Sequence, residues 1–482
     1  MLGINSAKKA GDKLSIQKIE IGRDRQTQWM IVDLGGTYPI AKLVLDTDTM
    51  DYSTVEYSLD SHHWIEVKIE ETDANVRSIN FHHVLARYIK ISHSMLEAKL
   101  DGRDIEIYAG IGLVVEPAPD WTELFHRKEG WSGADGIYSI PFNGCEKQGE
   151  ADKTKTIFVF GDTFIGSVDR ETNERLDFNM INNSIAILDG GKPQEDAIEF
   201  RWNTNEAGDP TSYFVPTTEK GVKIDQSYYW LQDGISISGI FYCFPLIISP
   251  DSTQPEGFEF KVNGVTCVSA PIGADGPILE QQQQLDTPFY FTADNGKITY
   301  FGAGFMANTK EAKVPNPDGY IYIYGLQKWE TTKLVVARVL PDQFTEFSLW
   351  QVWDGENWTK DIGKATPIAS EVSSELSVSP MLGGTLNGKY IVVFQEHSTG
   401  NRLGIYVGDS PLGPFETPQY VYYCSESERG DSVYTYNAKA HPHLSEPGEL
   451  IVSYNVNSSS WKMHEKDGSM YRPRFLKISQ LE

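Results

Sequence analysis

From about residue 120 to its end, the chain is a succession of short apolar and aromatic runs punctuated by turn residues. Tyr290-Phe291-Thr292 and Ile298-Thr299-Tyr300-Phe301 flank Asn295-Gly296, a dipeptide favoured in two-residue hairpin loops, where both central residues need φ > 0. Residues 319–325 with 333–339, then 350–355, 388–394, 403–407 and 449–454, repeat the strand-and-turn pattern, and no helical run intervenes. Such hairpins over about 360 residues fit radial repetition of four-stranded blades of roughly 70 residues, arithmetic that gives five blades; a large sandwich is the other arrangement open to them. Aromatics make up 12% of the chain, and its 42 Gly and 24 Pro are spread along it, which means turn-rich strands and not disorder. The fold class expected is all-β.

Residues 1–108 read as a separate β-sandwich of short strands with turn signals at intervals of about ten residues. Trp29-Met30-Ile31-Val32-Asp33-Leu34-Gly35 ends a strand in a turn, Val55-Glu56-Tyr57-Ser58 leads through Asp60 to Trp64, and Arg87-Tyr88-Ile89-Lys90-Ile91 alternates. The ordered set W-x-x-V-D-L-G, V-E-Y-S-x-D-x-x-x-W and R-Y-I-K-I resembles the discoidin, or coagulation factor 5/8 type C, family, which includes many carbohydrate-binding modules. Residues 109–119, with Pro117 and Pro119 two apart, are expected to be a stiff linker without helix. The second domain is then 120–482.

Two segments carry the chemistry. Thr156-Ile157-Phe158-Val159-Phe160 runs without polar alternation into Gly161-Asp162, the pattern of a strand buried on both faces with a carboxylate at its mouth. In Gly130-Trp131-Ser132-Gly133-Ala134-Asp135-Gly136, small residues leave room beside Asp135, and Trp131 is a candidate platform for a sugar ring. Each Asp is also a natural turn former. Together, two carboxylates among aromatics are what cleavage of a glycosidic bond requires: one ionised, to activate water or attack the anomeric carbon, and another holding a proton.

Ser410-Pro411-Leu412-Gly413-Pro414-Phe415 matches the S-x-x-G-P-F turn of five-bladed propeller glycosidases. With G-x-D-G at 133–136, F-G-D-T at 160–163, V-A-R-V at 336–339, W-D-G-x-x-W at 353–358 and Ala440-His441-Pro442, the domain resembles the five-bladed propeller glycoside hydrolases, most of all the branch that includes bacterial endo-D-arabinanases. The resemblance implies a central funnel and a mid-chain glutamate as proton donor. Glu375 is the expected acid, with Glu371 as competitor; Asp135 is the expected base or nucleophile, and Asp162 its transition-state partner. Asn183, Asp233, Arg338, Gln395 and Glu396 are candidate substrate contacts, although turn and ion-pair roles serve them as well. Related propellers often place a last-blade histidine near a central cation, which makes His441 the candidate for an axial Ca²⁺. No Asp-rich calcium loop accompanies it, and no cofactor is required.

The formal net charge of −25 repels nucleic acid and leaves neutral glycans as partners. No run of about 18 apolar residues is present to span a membrane. Cys145, Cys243, Cys267 and Cys424 lack metal or redox spacing, and Cys243 lies in an apolar run as a small hydrophobe. Met1 leads into a polar stretch without a leader's apolar core, so the protein is expected in the cytoplasm, or secreted or at the cell surface if a leader has been removed. The expected activity is hydrolysis of a bacterial or plant polysaccharide or oligosaccharide, furanosides included. A non-catalytic glycan-binding or adhesion protein and a glycosyl-transferring enzyme are the alternatives.

Overall fold

The computed structural model describes residues 10–24, 27–45, 52–67, 77–93, 105–110, 112–255, 259–430 and 432–481. The chain forms two compact units, one of Met1–Pro117, Val421–Ser425 and Leu476–Glu482, the other of Ala118–Tyr420 and Glu426–Phe475.

In the first unit, strand Gln28–Leu45 pairs antiparallel with Lys18–Arg23, Arg77–His93 and Ile105–Ala109. Register shifts after Asp33 and after Ile40 let so long a strand bend. Its alternation buries Met30, Val32 and Leu34 against Ile89, Ile91 and Ile107. The motif residues hold this frame together. Asp33 accepts the Gly35 N–H (2.8 Å) and pairs with Arg87 through both oxygens (3.0 and 3.2 Å). Asp60 accepts the His62 and His63 N–H groups and closes the turn after strand Tyr52–Ser58.

The segment expected as a linker is structured. Gly112–Pro117 is a strand, antiparallel to Leu476–Leu481 of the chain's other end, and Leu481 sits in the first unit's core. Pro119 opens helix Pro119–Leu124 instead of preventing it, because a proline in the first turn has no needed N–H to lose. Neither effect is visible locally: the strand's partner lies more than 350 residues away.

The second unit is all-β and of propeller type. Lys155–Phe160, expected to be buried on both faces, pairs with Tyr138–Pro141 on one side and Ser184–Asp189 on the other. Its Phe158 and Phe160 enter one core, its Ile157 and Val159 another. Tyr138–Pro141 packs beside Gly234–Ile237, which packs beside Ile298–Asn308; next come Leu376–Pro380 and Val433–Ala440. The last returns to the first, since Ser139 bonds His441 (2.8 Å) and the Lys439 ammonium lies 3.8 Å from the centre of the Tyr138 ring. The strands therefore close a ring. Asn295-Gly296 does make a hairpin, but with a five-residue loop in which only Gly296 has positive φ (+84°), since Thr292 pairs with Ile298.

Truncating the buried Leu481 to Ala should destabilise the first unit by about 2–4 kcal/mol. Denaturant-dependent hydrogen exchange over residues 28–45, followed by mass spectrometry, measures this. Unchanged protection after deletion of 476–482 would show the returning strand to be dispensable.

Candidate active site

Asp135 follows strand Glu129–Ala134, and Asp162 joins Lys155–Phe160 to Thr163–Val168. Reciprocal backbone bonds clamp the two loops together: Asp135 N–H donates to Asp162 O (3.0 Å), and Gly161 N–H to Asp135 O (2.9 Å). A Cβ at Gly161 would lie 2.3 Å from Asp135 Oδ1, so glycine is what admits the carboxyl group there. Asp135 Oδ2 accepts from the Tyr471 hydroxyl (3.1 Å). Asp162 Oδ1 accepts from the Trp230 indole (2.9 Å) and the Asn182 amide (3.4 Å).

Glu375 stands immediately before strand Leu376–Pro380. With its amide turned to satisfy both neighbours, Asn437 donates to Glu375 Oε2 (2.6 Å) and accepts from the Gly136 N–H (2.9 Å), joining the glutamate to the Asp135 loop. Asn437 has φ +62° at a bulge between Tyr436 and Lys439, a left-handed conformation that Asn tolerates better than most residues. All three carboxyl groups line one cavity of about 370 Å³, together with Trp230, Lys328 and a set of tyrosines that includes Tyr300, Tyr434, Tyr436 and Tyr471.

The three acids are not electrostatically alike. Asp135 is pushed well above the ordinary carboxylate range, by burial first and then by the charge of Asp162, with the Tyr471 hydroxyl opposing. Asp162 is raised to about 6 by burial, and its indole and amide donors restrain the shift. Glu375 is raised by burial, while Lys439 and Lys328 favour its charged form. Negative charge therefore settles first on Asp162, and Asp135 keeps its proton longer. Carboxyl groups raised to unequal extents in one site have what acid–base chemistry needs.

The other expected contacts lie elsewhere. Trp131 is not a platform: it is 1% exposed and stacks on Phe200 (4.5 Å) within the core, because alternation along its strand turns it inward. Asn183 is also buried, bonding Phe214 and Tyr229 backbone; its neighbour Asn182 points to the site instead. Asp233 accepts the Gly234 and Phe305 N–H groups and lines a separate chamber of about 30 Å³ with Glu146 and His443. Arg338 is clamped between the rings of Tyr320 and Trp358, each 4.1 Å away, and bonds Gln351. Gln395 bonds the Gly400 carbonyl and Thr435, and Glu396 pairs with Arg402; Ser398 and Thr399, just beyond them, reach the cavity. Glu371 is exposed at φ +59° and is not part of the cavity lining.

His441 bonds Ser139 through Nδ1 and Ser453 through Nε2, both at 2.8 Å, so neither nitrogen is left for the expected cation. Among the described residues no group of three or more His, Cys, Asp or Glu side chains is arranged to hold a metal ion. The four cysteines are buried, and no disulfide joins them among the described residues. Among the described residues, no helix is long and apolar enough to cross a membrane.

Trp230, Asn437, Lys439, Lys328 and Tyr471 were absent from the sequence-based candidates. Asn437 and Lys439 stand in the Asn-Ala-Lys-Ala-His-Pro stretch that drew attention to His441, and an ammonium in an apolar strand was the available signal. Trp230 and Tyr471 carried no signal in their own neighbourhoods.

A family profile described as "Domain of unknown function (DUF5005)" matches residues 119–481, and one described as "NedA-like, galactose-binding domain" matches residues 13–91. No curated protein sequence matches the chain. Among solved structures, a putative hydrolase from Bacteroides ovatus is similar, with TM-score 0.57, 17% identity, and coverage of 76% of this chain and 90% of that one. An α-L-arabinofuranosidase from Clostridium thermocellum follows at TM-score 0.37 and 13% identity, covering 71% and 89%. A Bacillus subtilis levansucrase mutant gives TM-score 0.40 and 14% identity, covering 73% and 88%. At 17% identity the likeness to the Bacteroides structure concerns fold alone.

The raised Asp162 has a stability consequence with a definite sign. Its carboxyl stabilises the fold fully below its ordinary value of 3.8, and that contribution is lost as pH rises through about 6. Asp162→Asn is free of this loss, so its melting temperature relative to the parent should climb between about pH 4 and pH 6. Relief of Asp135 adds to the climb with the same sign. A pH-independent difference in thermal melts would contradict the burial of a titrating carboxyl.

Proposed function

The chain belongs to the DUF5005 family, and from its site we propose that it is a glycoside hydrolase acting on a bacterial or plant polysaccharide or oligosaccharide, furanosides included. The observation that carries this reading is one aromatic cavity lined by three half-buried carboxyl groups with unequal hydrogen-bond partners and charged neighbours. Cleavage of a glycosidic bond passes through an oxocarbenium-like state that needs negative charge beside the ring and a proton for the leaving oxygen. Glu375 is the proton donor. The Asp135–Asp162 pair supplies the negative charge: Asp162, the first to ionise, stabilises the transition state, and Asp135 acts on water or the anomeric carbon in the form in which it too has given up its proton. The indole of Trp230 and the surrounding tyrosines offer faces to the sugar ring.

The closed ring of inner strands supports a five-bladed propeller. The galactose-binding-type profile over residues 13–91 supports a role for the first unit in holding the enzyme on a glycan.

The test is incubation with a panel of polysaccharides, arabinans and fructans included, with products identified by mass. Asp135→Asn and Asp162→Asn should each abolish turnover. Glu375→Gln should slow natural glycosides by about 10²–10⁴-fold and aryl glycosides with good leaving groups by less than about tenfold, because a proton donor matters only where the leaving oxygen is a poor one. Equal losses on both substrates remove Glu375 from the acid role. Glycan binding without cleavage across the panel favours a lectin instead.

A further inference from the structure

Lys439 is the least expected residue near the cavity. It lies in strand Val433–Ala440, is 1% exposed, and its ammonium has no hydrogen-bond acceptor among the described residues. Burying an ammonium is expensive, and an apolar side chain of the same length would fill the space without that cost. What surrounds it is specific. The face of Tyr138 lies under Nζ at 3.8 Å, and a ring face attracts a cation. Tyr138 lines both the main cavity, with Asp135 and Glu375, and the small chamber, with Asp233 and Glu146. Glu375, Asp233 and Asp135 all act on Lys439 electrostatically, in that order of strength. The other ionisable groups here are Lys328, which bonds Ser374 and acts on Glu375, His441, whose nitrogens both face serines, and Tyr300, Tyr434 and Tyr436.

We propose that Lys439 is the resident counter-cation of the carboxyl cluster, a positioning residue whose ammonium, seated on Tyr138 where the two cavities meet, sets how many of Glu375, Asp135 and Asp233 carry charge at once. It touches no reacting atom. The role rests on the hydrolase reading only for its effect on turnover; its effect on ionisation belongs to the folded protein alone. Burial draws Lys439 itself down to about 8, so the ammonium is charged through the neutral range and fades above it.

The experiment compares the parent chain with Lys439→Met, alone and combined with Glu375→Gln, by thermal melts from pH 5 to pH 8 and by pH–rate profiles on a natural glycoside, whose poor leaving oxygen needs the Glu375 proton. At pH 5 the carboxyl groups hold protons and the ammonium is uncompensated, so Lys439→Met should be at least as stable as the parent. As pH rises to 8 that relative stability should fall, because Glu375 and Asp135 have lost the cation that helped them ionise. In the Glu375→Gln background most of this pH dependence should vanish. The basic limb of the rate profile should move up by about one pH unit as Glu375 keeps its proton further. If the methionine variant does not fold, Lys439→Gln, which keeps chain length and polarity, replaces it in the same comparison. A stability difference that does not vary with pH overturns the proposal whatever the activity. A pH-dependent difference together with no glycoside cleaved by any variant upholds the counter-cation and fails the hydrolase reading.

Discussion

The two backbone hydrogen bonds that join the Asp135 and Asp162 loops bring two carboxyl groups together in a buried place, and the character of the site follows from that constraint. Glycine at 161 is the steric condition, since any side chain there would displace Asp135. Like charges so near and so dry cannot both be present cheaply, and the protein answers with unequal surroundings. Asp162 receives an indole and an amide, and Asp135 receives one tyrosine hydroxyl. The asymmetry gives two otherwise identical side chains an unequal hold on a proton.

Every other element of the site manages that burial. Asn437 ties Glu375 to the Gly136 N–H, so the third carboxyl is fixed to the same loop as the first. Lys328 donates to Ser374, next to Glu375 in the chain, and acts electrostatically on Glu375. His441, with both nitrogens held by serines, closes the ring between the first and last inner strands as a neutral strut. The ring's geometry is thus maintained by hydrogen bonds between strands that are far apart in the chain, and the carboxyl groups stand at the strand mouths that this ring brings together.

Much of the architecture was legible beforehand. Turn residues, strand lengths and the absence of helical periodicity marked an all-β chain, and the unbroken run 156–160 announced a strand with both faces covered. The motif residues Asp33, Asp60 and Arg87 proved to be fastenings of the first unit, in keeping with their places at strand ends and turns. The returning strand was not legible: Gly112–Pro117 has a partner only because Leu476–Leu481 comes back to it. Short-range reasoning sees two prolines and infers a linker.

For the site, the sequence by itself determined which carboxyl groups could serve, because a charged residue at the mouth of a buried run is costly and therefore informative wherever it lies. Asp135, Asp162 and Glu375 were found that way or through family resemblance, and one cavity gathers them. Which aromatic and amide residues accompany them was decided by tertiary structure alone. Trp131, named for its place beside Asp135 along the chain, lies in the core, whereas Trp230 reaches Asp162. The reason is topological: which side chains face the cavity depends on how strands far apart in the chain meet, as Trp230 of Tyr228–Trp230 meets Asp162. A ring closed by distant strands recruits its wall from hundreds of residues away.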